Sequence, residues 1–356
     1  MRTSPPKLRE RGAALLTAML TVTLVATFAA AAMWQQWRAV EVEAAERSRV
    51  QSAWVLVGAS DWARLILRED GRAGGADHLQ EPWAIPLEEA RLSTFLAADK
   101  NIASDALEGL PDAFMSGRII DGQSKLNVTN LVVGGKPVPT AVASFTKLFE
   151  LIGVPTQEVA VLVANLQRAT AGLAPSNPTG ATNPAAGAAV SGTTPSTGTQ
   201  TTSSMSDSDS AGAPLMPQQL EQLTWLGLSA STVAAITPYV TVLPVSTPLN
   251  INTATAEALS ASLPSLDLAS AKRLVAQRTN RFFSSLADAQ KLMPESSAQF
   301  AEGQQSVSTS YFELHARLRL DKIWVEEHSL LRRDGMQVSV VWRNRGAGAT
   351  FTQAKP

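Results

Sequence analysis

Metal and nucleophile chemistry has little to work with in this chain. It carries three histidines, His78, His315 and His328, and no cysteine. Disulfides, thiolate zinc sites, iron–sulfur clusters and cysteine nucleophiles are therefore excluded. His315 and His328 fall in strand-like stretches with no third ligand in sequence reach, so they read as strand surface residues. Asp207-Ser-Asp209-Ser-Ala-Gly212 imitates the opening of an EF-hand loop. Its fifth and twelfth positions are Ala211 and Gln218, which removes two oxygen ligands, the bidentate glutamate among them. No Gly-x-Gly-x-x-Gly, Walker, Gly-x-Ser-x-Gly or His-Glu-x-x-His pattern occurs, and no two carboxylates are spaced as an acid/base couple. Neither an enzyme nor a cofactor is expected. Two kinds of polar spacing remain. One is a set of polar side chains: Asp121, Asn127 and Asn130, which read as turn-formers, and further on Asn250, Asn252 and Thr253 followed by Ala254. The other is a few cations, Lys272, Arg273 and Arg278, close behind the turn Leu263-Pro264-Ser265-Leu266-Asp267.

The elements that carry these residues follow from composition and periodicity. Lys plus Arg is 30 and Asp plus Glu is 31, for a net charge of −1. That balance argues against a nucleic-acid binder working through bulk charge. Charged residues are 17% of the chain, below the ~25% of an ordinary soluble domain. The deficit has two sources, an apolar N-terminal run and an uncharged central one.

Arg2, Lys7, Arg9 and Arg11 precede a stretch with no charge until Arg38. A helix over Ala13 to Met33 spans about 30 Å, the thickness of a bilayer core, and Trp34 and Trp37 follow where indoles favour the headgroup level. The basic side stays cytoplasmic, so the bulk of the chain crosses the membrane. Three readings compete: a secretory signal cut near Ala29-Ala30-Ala31, a plain membrane anchor, and a leader cut between Gly12 and Ala13 on the cytoplasmic side. Two features favour the third. The basic segment is short and ends in Gly12 against the apolar run, and the helix does not stop at the membrane. No proline occurs from Ala13 to Glu81 and no glycine between Gly12 and Gly58. Val50, Trp54, Val57, Asp61, Arg64 and Leu65 continue a helix-compatible pattern.

Further on, Arg118–Ile120 and Lys125–Val128 are expected as short strands around an Asp121-Gly122 hairpin turn. Asn127 and Asn130 are expected to satisfy backbone groups in turns. Val142, Phe145, Leu148, Phe149 and Ile152 form a helical stripe, and Glu158 to Leu166 another. From Ala169 to Ser206 no charge occurs, so 174–214 is expected to be disordered. Leu220, Leu223, Trp225, Leu226, Leu228, Val233 and Ile236 then predict more helix. At the C-terminal end, Tyr311 to Leu320 alternates strictly and predicts a half-buried strand. Strands over 322–325, 329–332 and 337–343 follow, with Asp334-Gly335 as a hairpin turn.

With these residues placed, the leader Arg9-Glu10-Arg11-Gly12 resembles the prepilin signals of type IV pilins and type II secretion pseudopilins. The resemblance implies that prepilin peptidase cuts between Gly12 and Ala13. Most such proteins carry glutamate at the fifth mature position, whereas Thr17 stands here. That departure resembles the K-type minor pseudopilins, whose subunits suit a fibre tip. Leu79–Pro86 is similar to their Trp-containing loop, and Gly117–Leu131, with Asp121, Asn127 and Asn130, to a segment that they share. Leu249-Asn250-Ile251-Asn252-Thr253-Ala254 resembles both helix-hairpin-helix modules and the inserted helical domain of the K type. The family's acidic, calcium-associated stretch is not matched: Leu162-Val163-Ala164-Asn165-Leu166 stands near its place. Calcium is not expected.

The implied fold is α+β. A long N-terminal transmembrane helix packs on an antiparallel sheet, pilin-like, with a large inserted all-helical domain resembling a helix-hairpin-helix. The implied divisions are a leader over 1–12, the long helix over 13–70, a first head segment over 71–139, the helical insertion over 140–300, and a second head segment over 301–356 as a β-meander. The implied function is that of a minor pseudopilin at the tip of the type II secretion pseudopilus. It would start fibre assembly with I-type and J-type minor pseudopilins and support export across the outer membrane. The lipid bilayer is a further partner. Residence is in the bacterial inner membrane, single-pass, with a cytoplasmic N-terminus and a periplasmic C-terminal domain. The rival reading is a membrane-anchored periplasmic DNA-uptake protein. Against it, the turn at 263–267 lacks the glycines whose bare N–H groups approach a phosphate, and carries Pro264 and Asp267.

Overall fold

The computed structural model describes residues 13–92, 113–171, 213–293, 299–320 and 323–347. Helix α1 (Ala13–Ala73) runs unbroken for 61 residues, about 90 Å at 1.5 Å per residue. Its first half buries nothing, and Leu16, Leu20, Val25, Phe28, Trp34 and Trp37 are all exposed. Thr17, Thr21, Thr23 and Thr27 turn their hydroxyls back onto carbonyls of the preceding turn. This satisfies them without a partner chain. The helix is long and apolar enough to cross a membrane. Its second half buries Ser52, Leu56, Ala59, Ser60, Ala63 and Leu67 on one face. Beyond Ala73, Gly74 at φ +66° and Gly75 at φ +116° take up backbone conformations open to glycine.

That face lies on an antiparallel sheet of five strands in chain order. They are β1 (Leu87–Arg91), β2 (Ala113–Asp121), β3 (Tyr311–Leu320), β4 (Ile323–Asp334) and β5 (Gln337–Ala347). The period-two expectation for 311–320 is met, with Phe312, Leu314, Ala316, Leu318 and Leu320 buried. Two apolar clusters join helix to sheet. Leu56 and Ala59 pack with Met115, Ala316 and Leu318, and Ala63 and Leu67 with Trp83, Ile119, Phe312 and Leu331. Glu327 is also buried, ion-paired to Arg343 and Arg345, while Arg343 donates to the Ser60 hydroxyl. The separate strands expected over 322–325 and 329–332 are one strand, β4. The following turn is centred one residue later than expected. Asp334 pairs with Gln337, and Gly335, at φ +58°, opens the two-residue loop.

Between β2 and β3 the chain builds a helical module. It comprises α2 (Pro139–Ile152), α3 (Gln157–Ala171), a 3₁₀ turn (Leu220–Leu226), α4 (Ala230–Ile236), α5 (Ala256–Ser262), α6 (Leu268–Asn280) and α7 (Leu286–Gln290). Four of the helices start on capping side chains, Ser229, Thr255, Asp267 and Ser285. Phe145, Leu148, Phe149, Leu162, Leu166, Leu223, Leu226, Ile236, Leu259, Leu274 and Phe283 share one core. Trp225, assigned above to an apolar stripe, instead points outward at 53% exposure.

Candidate functional site at the junction of sheet and helical module

The expected Asp121-Gly122 hairpin does not form. After β2 the chain enters a 3₁₀ turn (Gly122–Ser124), and Leu126–Asn127 pairs in parallel with Val240–Thr241 rather than folding back on β2. The reason is the Asp121 carboxylate, which is buried and accepts from four directions. One oxygen takes the Gln123 N–H at 2.7 Å. The other takes the Asn250 Nδ2 at 2.9 Å and the Thr253 hydroxyl at 2.5 Å. The Thr309 side chain also bonds the carboxylate. The side chain that signalled a hairpin is thus the hub between sheet and module. Burial pushes its pKa up to about 6, against the pull of these hydrogen bonds.

The other asparagines extend the network. Asn250, fully buried, also donates to the Asp77 carbonyl and accepts from the Asn252 N–H. Asn252 makes a reciprocal pair with the backbone of Phe283, at 2.9 Å in both directions. Ala254, fully buried, bonds its N–H to the Asn250 carbonyl at 3.0 Å. Asn127 accepts from the Thr129 and Leu243 N–H groups and donates to the Val245 carbonyl and the Thr247 hydroxyl. Asn130 accepts from Thr247 N–H and Ser246 Oγ and donates to the Thr247 carbonyl. Seven of the singled-out residues therefore sit in two neighbouring knots, Asp121, Asn250, Asn252, Thr253 and Ala254 in one, and Asn127 and Asn130 in the other on the 243–247 segment. Such fully satisfied buried networks fix a unique arrangement. Thr17 lies far off on the exposed half of α1, its hydroxyl bonded to the Ala13 and Ala14 carbonyls. Ala13 opens α1, and Gly12 lies outside the described residues, as do the EF-hand-like segment and nearly all of 174–214.

A second layer, not singled out from sequence, ties in α1. Asp77 accepts the Thr309 N–H at 2.7 Å, and Arg333 of β4 bridges Asp70 and Asp77 while donating to the Thr309 carbonyl at 3.0 Å. Glu81 accepts from the His78 N–H and from the Trp83 indole at 2.7 Å, and burial raises its pKa to about 7. The carboxylates of Asp70, Asp77 and Glu81 converge within 4.8 Å, and the Arg333 guanidinium pairs with the first two. His78 stacks on Phe282 of the module, ring centroids 3.8 Å apart. Glu313 adds a third link. It accepts from Lys125 at 3.4 Å and from the Thr241 hydroxyl at 3.2 Å. Burial alone would raise its pKa, but His315, Lys125 and Thr241 outweigh it and hold the group down at about 2. Little in the sequence marks Asp70, Asp77, Glu313 or Arg333, because their partners lie far along the chain, whereas Glu81 finds His78 and Trp83 within three residues.

His315 and His328 face one another across β3 and β4, ring centroids 4.3 Å apart. The residues 162–166 do not fit a calcium ion. Leu162, Val163 and Leu166 are buried in the apolar core, and the Asn165 amide donates to the Leu226 carbonyl. The turn at 263–267 is no phosphate cradle either. The Asp267 carboxylate caps α6, and Arg278 is buried with its guanidinium on the Ile251 carbonyl, leaving Lys272 and Arg273 as the exposed cations there.

A membrane-length helix whose distal half leans on an antiparallel sheet, with a helical module inserted between strands and sewn to the sheet by buried amides, defines a pilin-like subunit with an enlarged head. Two family profiles, both described as type II secretion system (T2SS), protein K, match residues 124–245 and 249–310, together just over half of the chain. A protein K from Pseudomonas aeruginosa is 27% identical over 348 residues, covering 95% of this chain and 94% of that one. One from Pectobacterium carotovorum subsp. carotovorum is 26% identical over 358 residues, covering 96% and 98%. Among solved structures, a chain of the GspK-GspI-GspJ complex from enterotoxigenic Escherichia coli matches with a TM-score of 0.53 and 18% identity, covering 85% of this chain and 99% of that one. The chain belongs to the type II secretion system protein K family, the K-type minor pseudopilins, and its fold is theirs.

Proposed function

We propose that this protein caps the tip of a type II secretion pseudopilus, starting fibre assembly with I-type and J-type partners and supporting export across the outer membrane. The observation that carries this reading is the two-sided distal half of α1. One side is buried on the sheet. The opposite side, about half a turn round at 100° per residue, presents Val50, Trp54 and Leu65 at 54%, 71% and 45% exposure. Val50 and Trp54 stand one turn apart there, with Leu65 about three turns on beyond the exposed Asp61, and apolar groups left bare on a rod suit a contact surface. Partner helices of sister subunits are the occupants that suit a surface continuous with a membrane-spanning rod. The complex of the solved relative with I and J proteins supports the choice.

The rest of the proposal follows from the N-terminus. Prepilin peptidase removes residues 1–12, and the helix from Ala13 stays in the inner membrane until extraction, with the head in the periplasm. Thr17, bonded to its own backbone, offers no carboxylate to a neighbour's terminal ammonium, which suits a subunit with none above it. The bulk of the helical module likewise suits a position that is not repeated. Mass spectrometry of the mature chain tests the processing step: a first residue at Ala13 supports it, and one near residue 32 overturns it. Co-purification of the full-length chain with I-type and J-type pseudopilins tests the partners. Salt-dependent binding to duplex DNA without such a complex would favour the DNA-uptake reading.

A further inference from the structure

The ammonium of Lys147, on α2, sits in a cage of main-chain carbonyls at the turn between α5 and α6. Its Nζ donates to the carbonyls of Ser260 at 2.7 Å, Leu263 at 2.8 Å, Pro264 at 3.1 Å and Leu266 at 2.6 Å. An ammonium has only three protons, so four oxygens at these distances surround the charge as a coordination shell rather than as one bond per proton. The cage is built at the C-terminal end of α5, the negative end of the helix dipole. The Ser260 carbonyl also accepts the Leu263 N–H at 3.4 Å and the Leu263 carbonyl the Leu266 N–H at 3.2 Å, so the ammonium takes the second lone pair of each. The proline at 264 leaves its carbonyl pointing at the same centre. The Ser260 hydroxyl bonds the Leu266 carbonyl at 2.8 Å and holds the turn in shape.

We infer that the 260–266 turn is a monovalent-cation site and that Lys147 is its tethered cation. The chemistry of the shell selects the class of ion. All four ligands are neutral carbonyls; the nearest carboxylate, Asp267, is turned to the start of α6. Divalent Ca²⁺ takes carboxylates and oxygens at about 2.3–2.6 Å, whereas this shell extends to 3.1 Å. Rings of backbone carbonyls that replace a hydration shell are the ligands of K⁺, and an ammonium is a cation of similar bulk. By carrying its own cation on α2, the chain closes the turn without drawing an ion from solution and ties α2 to α5 and α6 through one side chain.

The test compares Lys147→Ala with Lys147→Met in the full chain in detergent. Amide exchange over 256–280 and thermal unfolding are followed in equimolar KCl, NaCl and choline chloride, with thallium(I) as a K⁺ probe read by its NMR signal. The wild-type protein is expected to show no preference among the cations. Lys147→Ala opens the cage and is expected to lose protection at 256–280 in choline and regain it in K⁺, with a midpoint rise of about 2–4 °C and a bound thallium signal. Lys147→Met fills the space with an uncharged chain and is expected to lose protection that no cation restores. The inference is overturned if Lys147→Ala behaves alike in K⁺ and choline, whether folded or not. It is equally overturned if Lys147→Met is as well protected as the wild type.

Discussion

The sheet-and-helix head and its junction with the helical module are held together by opposite chemistries. In the head, one face of α1 lays aliphatic side chains on a strictly alternating strand, and Trp83 and Phe312 meet edge to face at 5.3 Å. At the junction, buried side chains are amides, hydroxyls and carboxylates, each aimed at a named backbone or side-chain group. The first kind of contact is tolerant: a similar volume serves. The second is exacting, since a missing acceptor strands a buried donor. The difference predicts that damage to the head scales with volume, whereas damage to the junction follows the loss of one atom's hydrogen-bonding character.

The largest effect is expected in the head. Phe312→Ala removes a fully buried ring from beneath Trp83 and Arg333 and is expected to destabilise by about 3–5 kcal/mol. Hydrogen exchange should show the loss over 311–334, with protection in 139–171 largely kept. Equal loss in both would mean that head and module unfold as one unit and would erase the contrast.

Asp121→Asn changes no volume and is the counterpart. Its Nδ2 would face the donors of Asn250 and Thr253, or its flip would face the Gln123 N–H. The expected cost is about 1–3 kcal/mol, read as faster exchange at 121–124 and 250–254. The same carboxylate makes the junction pH-dependent. Its folded pKa, raised to about 6, lies above its unfolded value, so the native state binds the proton more tightly. Stability from this group is full below about pH 4 and is lost as pH rises through 6. Glu81, raised to about 7, and Asp77, also raised, act in the same direction. His78 and His328, lowered by burial, act against it. Glu313, held at about 2, changes only in stronger acid. The readout is therefore the difference in stability between pH 5 and pH 8, which should be more favourable to pH 5 in the wild type than in Asp121→Asn.

Two glycines of α1 sharpen the comparison at a smaller scale. Alanine in a helix is normally better than glycine by about 1 kcal/mol. A Cβ at Gly58 meets nothing within 4 Å, so Gly58→Ala is expected to raise head stability by up to about that amount. A Cβ at Gly71 would collide with the Gly335 carbonyl of the β4–β5 turn, so Gly71→Ala is expected to lower it. Thermal unfolding of the two variants side by side should move in opposite directions.

These contrasts also explain what could be read before the fold was known. The rod, the alternating strand at 311–320, and the stripe of Phe145, Leu148 and Phe149 were legible because burial imposes a period on neighbouring residues. The junction was legible only as isolated turn-formers. Asp121-Gly122 has the local signature of a hairpin, and nothing within a few residues reveals that Asn250, Thr253 and Thr309 will take its carboxylate instead. Lys147, Arg333 and Glu313 were missed for the same reason. Each finds its partners over a hundred residues away or in another element, where sequence spacing carries no signal.

The smallest effect on stability is expected at Trp54, and it bears most directly on function. The indole is 71% exposed on the side of α1 turned from the sheet, so Trp54→Ala should leave the folded chain within about 0.5 kcal/mol of the wild type. If that side receives partner helices, the same substitution removes a large aromatic anchor from the contact. Co-purification with I-type and J-type pseudopilins should then weaken by about tenfold or more. Leu67→Ala, on the buried side of the same helix, should behave in reverse, losing stability first and association only as a consequence. A Trp54→Ala chain that associates as well as the wild type would place the partner surface elsewhere on the molecule and leave α1 one-sided in its function.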